Sequence, residues 1–234
     1  MTQLIILPGM DGTGLLLERF IAALGPAFEV RVVRYPDEAS WGYAELENVA
    51  RAALPDSGPI FILGESFSGP LAVMLASERP AQIQGLILCG SFVRNPRPKL
   101  AWLKPFIRLL PVSGAARAAL DFLLLGKHAS AEMRMALSEA LKRISPATLR
   151  SRLGEVLTVN ASTRFAALDM PILYLRATRD RVVPRTASEL ALRLNPHTRI
   201  ADIDAPHFLL QAAPTQAAAA VADFARETPR KSFH

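Results

Sequence analysis

The fold of this chain is decided by the stretch Gly64-Glu65-Ser66-Phe67-Ser68-Gly69-Pro70, which follows the apolar run 59–63 and precedes a helical pattern. A sharp strand-to-helix turn needs small residues two before and two after its tip, because the two backbones approach each other closely. Gly64 fills the first position, and Ser68 fills the second, where glycine is usual. The pattern predicts a nucleophile elbow that presents Ser66 at the end of a buried strand.

Short apolar runs alternate with helical patterns around this stretch, which is typical of a parallel sheet covered on both faces. The predicted strands are 3–7, 29–34, 59–63, 84–90, 171–177 and 199–204. The predicted helices of the core are 15–24, 44–54, 67–77, 185–194 and 214–225. The fold class predicted is therefore α/β, a doubly wound and mostly parallel sheet of about six strands.

Two further polar side chains follow predicted strands, Asp180 after the fifth and His207 after the sixth. The carboxyl ends of parallel strands form one edge, so Ser66, Asp180 and His207 are expected to meet there. A serine hydroxyl needs an imidazole to take its proton, and a carboxylate orients that imidazole. The structural alternatives are a turn serine, a loop histidine and an aspartate that only caps its turn.

The first strand ends in Pro8-Gly9-Met10-Asp11-Gly12-Thr13-Gly14, called here the glycine loop (residues 8–14). Its glycines let the backbone curl, so that the Met10 amide faces the nucleophile and pairs with the Phe67 amide. Two such donors aimed at a developing oxyanion contribute about 3 kcal/mol each. The glycine spacing does not fit a dinucleotide loop.

Taken together, these motifs resemble the α/β-hydrolase superfamily, in particular its serine esterase, thioesterase and acyltransferase members. The resemblance implies Ser66 as nucleophile, His207 as base, Asp180 as orienting acid and the Met10 and Phe67 amides as oxyanion donors. Ser68 at the elbow and Pro8 before the glycine depart from the usual pattern. The chain is expected to be a compact version that lacks the first strands of the family.

The segment 93–165 interrupts the alternation with prolines and helical patterns, which predicts a helical cap inserted into a core of 1–92 and 166–234. Between Arg94 and Asn160 stand 12 Lys and Arg against 4 Asp and Glu, although the whole chain carries only +6. These cations are either solvated helix faces or part of a lid that holds an acyl chain and attracts an anionic group. Trp102 and Phe106 are its predicted substrate-binding residues.

The predicted function is hydrolysis of a carboxylic ester or thioester, lipid-like or anionic, through an acyl-enzyme. The alternatives are acyl transfer through the same intermediate and a hydrolase-fold protein that binds a ligand without turnover. No cofactor is expected, and no metal either, since no His, Cys or Asp cluster has metal-ligand spacing. No nucleic acid is expected, because aromatic residues are few and the cations do not form a recognisable binding motif. The single cysteine, Cys89, predicts a cytoplasmic protein. No transmembrane segment is predicted, peripheral membrane contact is left open, and so is the oligomeric state.

Overall fold

A computed structural model describes residues 2–38, 40–78, 81–109, 122–126 and 130–229. Parts of the predicted cap, residues 110–121 and 127–129, lie outside the described residues. Among the described helices, none is both long and apolar enough to cross a membrane.

Six parallel strands form one sheet in the order β2-β1-β3-β4-β5-β6. Their bounds are Thr2–Leu7 (β1), Phe28–Val32 (β2), Ile60–Glu65 (β3), Ile83–Cys89 (β4), Ile172–Ala177 (β5) and Thr198–Ile203 (β6). The predicted α/β class is confirmed, and each strand lies within two residues of its predicted bounds. Because the order reverses direction beside β1, the crossovers cover both faces of the sheet and leave its carboxyl edge open.

Within the described residues, the α-helices with the bounds given next accompany the sheet. They are Glu18–Leu24 (α1), Tyr43–Ala52 (α2), Gly69–Glu78 (α3), Ala131–Lys142 (α4), Pro146–Val156 (α5), Ser162–Ala166 (α6), Arg185–Leu194 (α7), Leu209–Ala212 (α8) and Pro214–Glu227 (α9). Short 3₁₀ turns precede α1 and α3, at Leu15–Leu17 and Ser66–Ser68, so these two helices begin later than the sequence predicts.

The alternation of side chains along β1 explains the two layers of helices. Ile5 and Leu7 pack into one buried cluster with α2, α3 and α7, whereas Leu4 and Ile6 pack into a second cluster with α1 and α9. Successive side chains of a strand point to opposite faces, so a continuous apolar run supplies both cores. The sheet is therefore buried on both sides, and polar chemistry is left to the strand ends.

The segment between β4 and β5, called here the insertion, contains the 3₁₀ helix Pro98–Leu109 followed by α4, α5 and α6. Its two ends meet, because Arg94 and Asn160 form an antiparallel bridge. The Asn95 amide donates to the Val159 carbonyl at 2.9 Å beside this bridge. The insertion is therefore closed at its base. The predicted domain limits at 93 and 165 stay a prediction.

Candidate active site

The turn after β3 holds Ser66 in a left-handed backbone conformation, with φ of 48°. This conformation is unfavourable for a residue with a Cβ, by about 1 kcal/mol or more. A Cβ added at Gly64 would lie 2.7 Å from the Ser68 carbonyl oxygen, and one at Gly69 would lie 1.9 Å from Ser91 Oγ. The close approach expected at the elbow is therefore real, and Gly69 serves it in addition to Gly64.

The three side chains predicted to meet at the carboxyl edge do lie together. Ser66 Oγ is 2.8 Å from His207 Nε2, and His207 Nδ1 is 2.7 Å from Asp180 Oδ2. The side chains of His207 and Asp180 are 2% and 6% exposed. An ionised carboxylate only accepts hydrogen bonds, so Nδ1 carries the imidazole proton and Nε2 is left to accept from the Ser66 hydroxyl.

The loop after β5 fixes the second oxygen of Asp180. Asp180 Oδ1 accepts hydrogen bonds from the Val182 and Val183 amides at 2.8 and 2.9 Å. Gly90 adopts a φ of 50° beside this pair, and a Cβ there would lie 3.3 Å from the His207 carbonyl oxygen. The Asp180 carboxylate is thus held on both oxygens, and Gly90 leaves room for the loop that carries His207.

The Met10 and Phe67 amides are predicted to face an oxyanion. In each case the carbonyl group of the same peptide accepts a hydrogen bond, which fixes the peptide. The Gly9 carbonyl, which shares a peptide plane with the Met10 N–H, accepts from the Gly12 amide at 3.0 Å. The Ser66 carbonyl, which shares a plane with the Phe67 N–H, accepts from Ser91 Oγ at 2.5 Å. Because a trans peptide is rigid and planar, fixing each carbonyl also fixes the direction of the amide. Sequence reasoning missed Ser91, although its place directly after β4 puts it at the carboxyl edge.

Ser68 is fully buried and links the elbow to the glycine loop. Its hydroxyl donates to the Pro8 carbonyl, and it lies 2.7 Å from the Tyr35 hydroxyl. Since Ser68 has one proton and gives it to Pro8, the Tyr35 hydroxyl donates to Ser68. The departure from glycine at this position therefore adds a connection between β3 and the glycine loop.

Glu65 forms a second link between the elbow and the glycine loop. Its carboxylate accepts from the Gly9 amide at 3.1 Å and from Gln211 Nε2 on α8 at 2.9 Å. The residue is 7% exposed, so this carboxylate lies in the interior beside Ser66 and not on the solvated surface. Burial raises the pKa of Glu65, and the hydrogen bond from Gln211 opposes this shift.

Arg152 connects the insertion to the same loop. This residue of α5 is 1% exposed, and its Nη1 and Nη2 donate to the carbonyls of Met10 and Pro36 at 2.8 and 2.7 Å. Its guanidinium lies 5.6 Å from the centre of the Tyr35 ring. Burial lowers the pKa of Arg152, while Tyr35 and Asp11 oppose that shift. No sequence motif singled out this residue, because the contact depends on how α5 packs.

The predicted substrate-binding residues Trp102 and Phe106 are largely in solvent, 66% and 52% exposed. Their rings meet edge to face, with centroids 6.2 Å apart. Cys89 is buried at the end of β4. Within the described ranges, no group of three or more His, Cys, Asp and Glu residues is arranged to hold a metal ion.

Comparison with known families and sequences gives two matches. The sequence model of the family described as "Serine aminopeptidase, S33" matches residues 43–208, a range that contains Ser66, Asp180 and His207. A curated relative, phytyl ester synthase 1 of Arabidopsis thaliana, is 34% identical over 114 residues, which is 46% of this chain. The match spans only 16% of that relative's length.

Solved structures share the fold at low sequence identity. A carboxylesterase structure from Nitrososphaera gargenis superposes with a TM-score of 0.81 at 14% identity, covering 96% of this chain and 90% of the other. An enol-lactonase from Burkholderia xenovorans superposes with a TM-score of 0.75 at 16% identity, covering 97% of this chain and 92% of the other. A hydrolase from Pseudomonas aeruginosa superposes with a TM-score of 0.78 at 18% identity, covering 96% of this chain and 89% of the other. These similarities concern the fold alone.

Proposed function

Since the chain belongs to the α/β-hydrolase family described as serine aminopeptidase S33, and is therefore a hydrolase-type enzyme, we propose that it cleaves a carboxylic ester or thioester through an acyl-enzyme on Ser66. The observation that carries this proposal is the chain of contacts from Ser66 Oγ to His207 Nε2 and from His207 Nδ1 to Asp180. Its distances are those of a nucleophile, a base and an orienting acid.

In the first half of the reaction, Ser66 Oγ attacks the carbonyl carbon while His207 Nε2 takes the hydroxyl proton. Asp180 stabilises the imidazolium, and the Met10 and Phe67 amides donate to the oxyanion. The tetrahedral intermediate collapses, its bond to the leaving oxygen or sulfur breaks, and His207 returns the proton to that atom. Water then attacks the acyl-enzyme by the same steps in reverse order, which releases the acid and restores Ser66.

An apolar, lipid-like acyl group is the proposed substrate class. The family name points to peptides, but the curated relative is named for an ester, and oxygen esters and amides react through the same acyl-enzyme. Leu125 and Leu137 of the insertion pack in one cluster with Phe208, the neighbour of His207. Apolar side chains at this place suit a lipid-like acyl group better than a peptide.

The test is a burst assay with p-nitrophenyl esters from short to long acyl chains, beside aminoacyl p-nitroanilides. Wild type should release a burst of p-nitrophenol followed by turnover, whereas Ser66→Ala should lose kcat by a factor on the order of 10⁶. Ser77→Ala is the matched control, because Ser77 lies on α3 and its hydroxyl donates only to the Met74 carbonyl.

Three other outcomes of this assay are informative. Turnover of the anilides alone would replace the ester by a peptide-like substrate. Equal rates in wild type and Ser66→Ala would refute the nucleophile. The absence of a burst with every compound would favour a ligand-binding protein without turnover.

A second candidate is acyl transfer, which the similarity to phytyl ester synthase 1 favours. The acyl-enzyme would form in the same way, and an alcohol in place of water would attack it. The two reactions are distinguished by adding a long-chain alcohol such as phytol to the ester assay and analysing the products by mass spectrometry. New ester formed at the expense of free acid indicates transfer, and free acid alone indicates hydrolysis.

A further inference from the structure

The 3₁₀ helix Pro98–Leu109 of the insertion exposes large apolar side chains. Trp102, Phe106 and Leu100 are 66%, 52% and 40% exposed, and the two rings contact each other edge to face. These three residues are called here the aromatic face. Single exposed apolar residues are ordinary, but a group of this kind on a short segment marks an interaction surface.

The charged residues of the segment that bears the aromatic face are all cations, and one acidic side chain, Glu155 of α5, lines a groove beside Lys104. The sequence contains no acidic residue between Glu78 and Asp121. Lys99 and Lys104 are both exposed within the same helix, and Lys104 Nζ lies 3.1 Å from the Thr158 hydroxyl. A surface that combines aromatic side chains with a majority of cations is complementary to an apolar layer covered by anions.

The start of this helix is attached to the loop that carries Asp180. The Arg97 guanidinium donates to the carbonyls of Arg181 and Val182 at 2.9 and 3.1 Å. The amide of Val182 in turn donates to Asp180. The helix that bears the aromatic face therefore begins beside the carboxyl edge of the sheet, where a substrate held in a lipid layer would have to arrive.

We propose that the aromatic face, together with Lys99 and Lys104, docks on the surface of a bilayer that contains anionic lipids. Trp and Phe side chains favour the membrane interface, and surface cations are attracted by anionic headgroups. A symmetric contact with a second copy through this face would bring like charges together, which disfavours self-association. Trp102 and Phe106 then contact lipid at the surface, in place of the acyl-binding role predicted from sequence. This docking does not depend on the proposed acyl-enzyme.

The test measures sedimentation with vesicles, in a Ser66→Ala background so that lipid is not consumed. Vesicles of phosphatidylcholine with 30% phosphatidylglycerol are compared with pure phosphatidylcholine in 0.1 M NaCl. We expect at least about tenfold stronger partitioning onto the anionic vesicles. Trp102→Ala/Phe106→Ala should weaken it about tenfold or more, and Lys99→Ala/Lys104→Ala about thirtyfold.

Matched controls remove comparable side chains elsewhere. Arg19→Ala/Arg193→Ala removes two exposed cations from α1 and α7, and Leu192→Ala removes an apolar side chain that is 46% exposed. Both should partition like the Ser66→Ala parent, within about twofold, since neither lies in the acid-free segment. A loss of binding in these controls equal to that of the face variants would refute the proposed surface.

Tryptophan fluorescence provides an independent measurement. The chain has two tryptophans, so Trp41→Phe leaves Trp102 as the sole emitter. Anionic vesicles should shift its emission to the blue, and brominated acyl chains should quench it. Equal binding to both vesicle types, unquenched Trp102 emission, or a dimer in sedimentation velocity that Trp102→Ala/Phe106→Ala dissociates would each overturn the proposal.

Discussion

Ser68 and Ser91 are small residues whose hydroxyl groups hold the backbone around Ser66. Ser91 Oγ fixes the peptide that carries the Phe67 amide, and Ser68 ties the elbow to Pro8 of the glycine loop. Neither hydroxyl is part of the chain of contacts from Ser66 to Asp180. The geometry at this edge therefore depends on side chains that bond to carbonyl groups behind the reacting atoms.

We predict that Ser91→Ala lowers kcat about tenfold and leaves KM almost unchanged. The Ser66 carbonyl keeps its hydrogen bond from the Gly69 amide but loses the one from Ser91, so the Phe67 amide is less firmly oriented when an oxyanion forms, which is a loss felt in the transition state. Stability should fall by about 1 kcal/mol, as for one buried hydrogen bond. Steady-state kinetics on a p-nitrophenyl ester and urea unfolding provide the two readings.

Ser77→Ala is the control here as well, since it removes a hydroxyl-to-carbonyl hydrogen bond of 2.7 Å within α3. It should cost similar stability and leave kcat at the wild-type value. If both variants lose stability and keep kcat, Ser91 has only a structural role.

Glu65 predicts a pH dependence of stability. Burial raises its pKa in the folded protein, so the folded state binds the proton more tightly than the unfolded state. The protonated Glu65 side chain therefore contributes stability that is fully present at pH values below the ordinary pKa of 4.5 and is lost as pH rises through the pKa in the folded protein. Glu65→Gln cannot ionise; its amide oxygen can still accept from Gly9, and its NH2 group can donate to Gln211 Oε1 once the Gln211 amide is reversed. The free energy of unfolding of Glu65→Gln should therefore increase relative to that of wild type as pH rises.

Urea unfolding at several values between pH 4 and pH 8 measures this difference. Parallel curves for wild type and Glu65→Gln would contradict the raised pKa.

At the scale of elements, α5 belongs to the insertion yet supports the core. Arg152 reaches from it to the carbonyls of Met10 and Pro36, which follow β1 and β2. A buried guanidinium is costly unless its donors are used, and these carbonyls use two of them. The glycine loop is thus held from β3 through Glu65 and Ser68, and from the insertion through Arg152.

We predict that Arg152→Met destabilises the protein by about 2–4 kcal/mol, because two carbonyls lose their hydrogen bonds from a buried, charged donor. The variant should also lower kcat more than it changes KM, since the peptide that follows the Met10 N–H loses its anchor and the glycine loop loosens. Arg152→Lys should recover part of kcat, because an ammonium reaches one carbonyl but cannot form the fork. Kinetics on a p-nitrophenyl ester and urea unfolding follow both effects.

Arg143→Met, at the end of α4 on the surface, is the matched control and should behave like wild type. A loss of stability in Arg152→Met without any change of kcat would assign Arg152 to packing alone.

At the scale of the whole molecule, the sequence predicts the sheet, its parallel direction and membership of the α/β-hydrolase superfamily, all of which are confirmed. Apolar runs and strand-end residues follow local rules, so Ser66 and His207, 141 residues apart, could be placed at one edge. Ser91 and Arg152 could not be assigned, because their partners are backbone carbonyls that any sequence provides. The cytoplasmic location stays a prediction.

The bridge between Arg94 and Asn160 also bears on how such a molecule changes over generations. Because the two ends of the insertion meet, the coding segment between them can be lengthened or exchanged by recombination without a change in the order or pairing of the strands. Arg152 is encoded in that segment, whereas Met10 and Pro36, whose carbonyls it contacts, are encoded outside it. The sequence of the insertion and the order of the glycine loop are therefore inherited together, as linked characters.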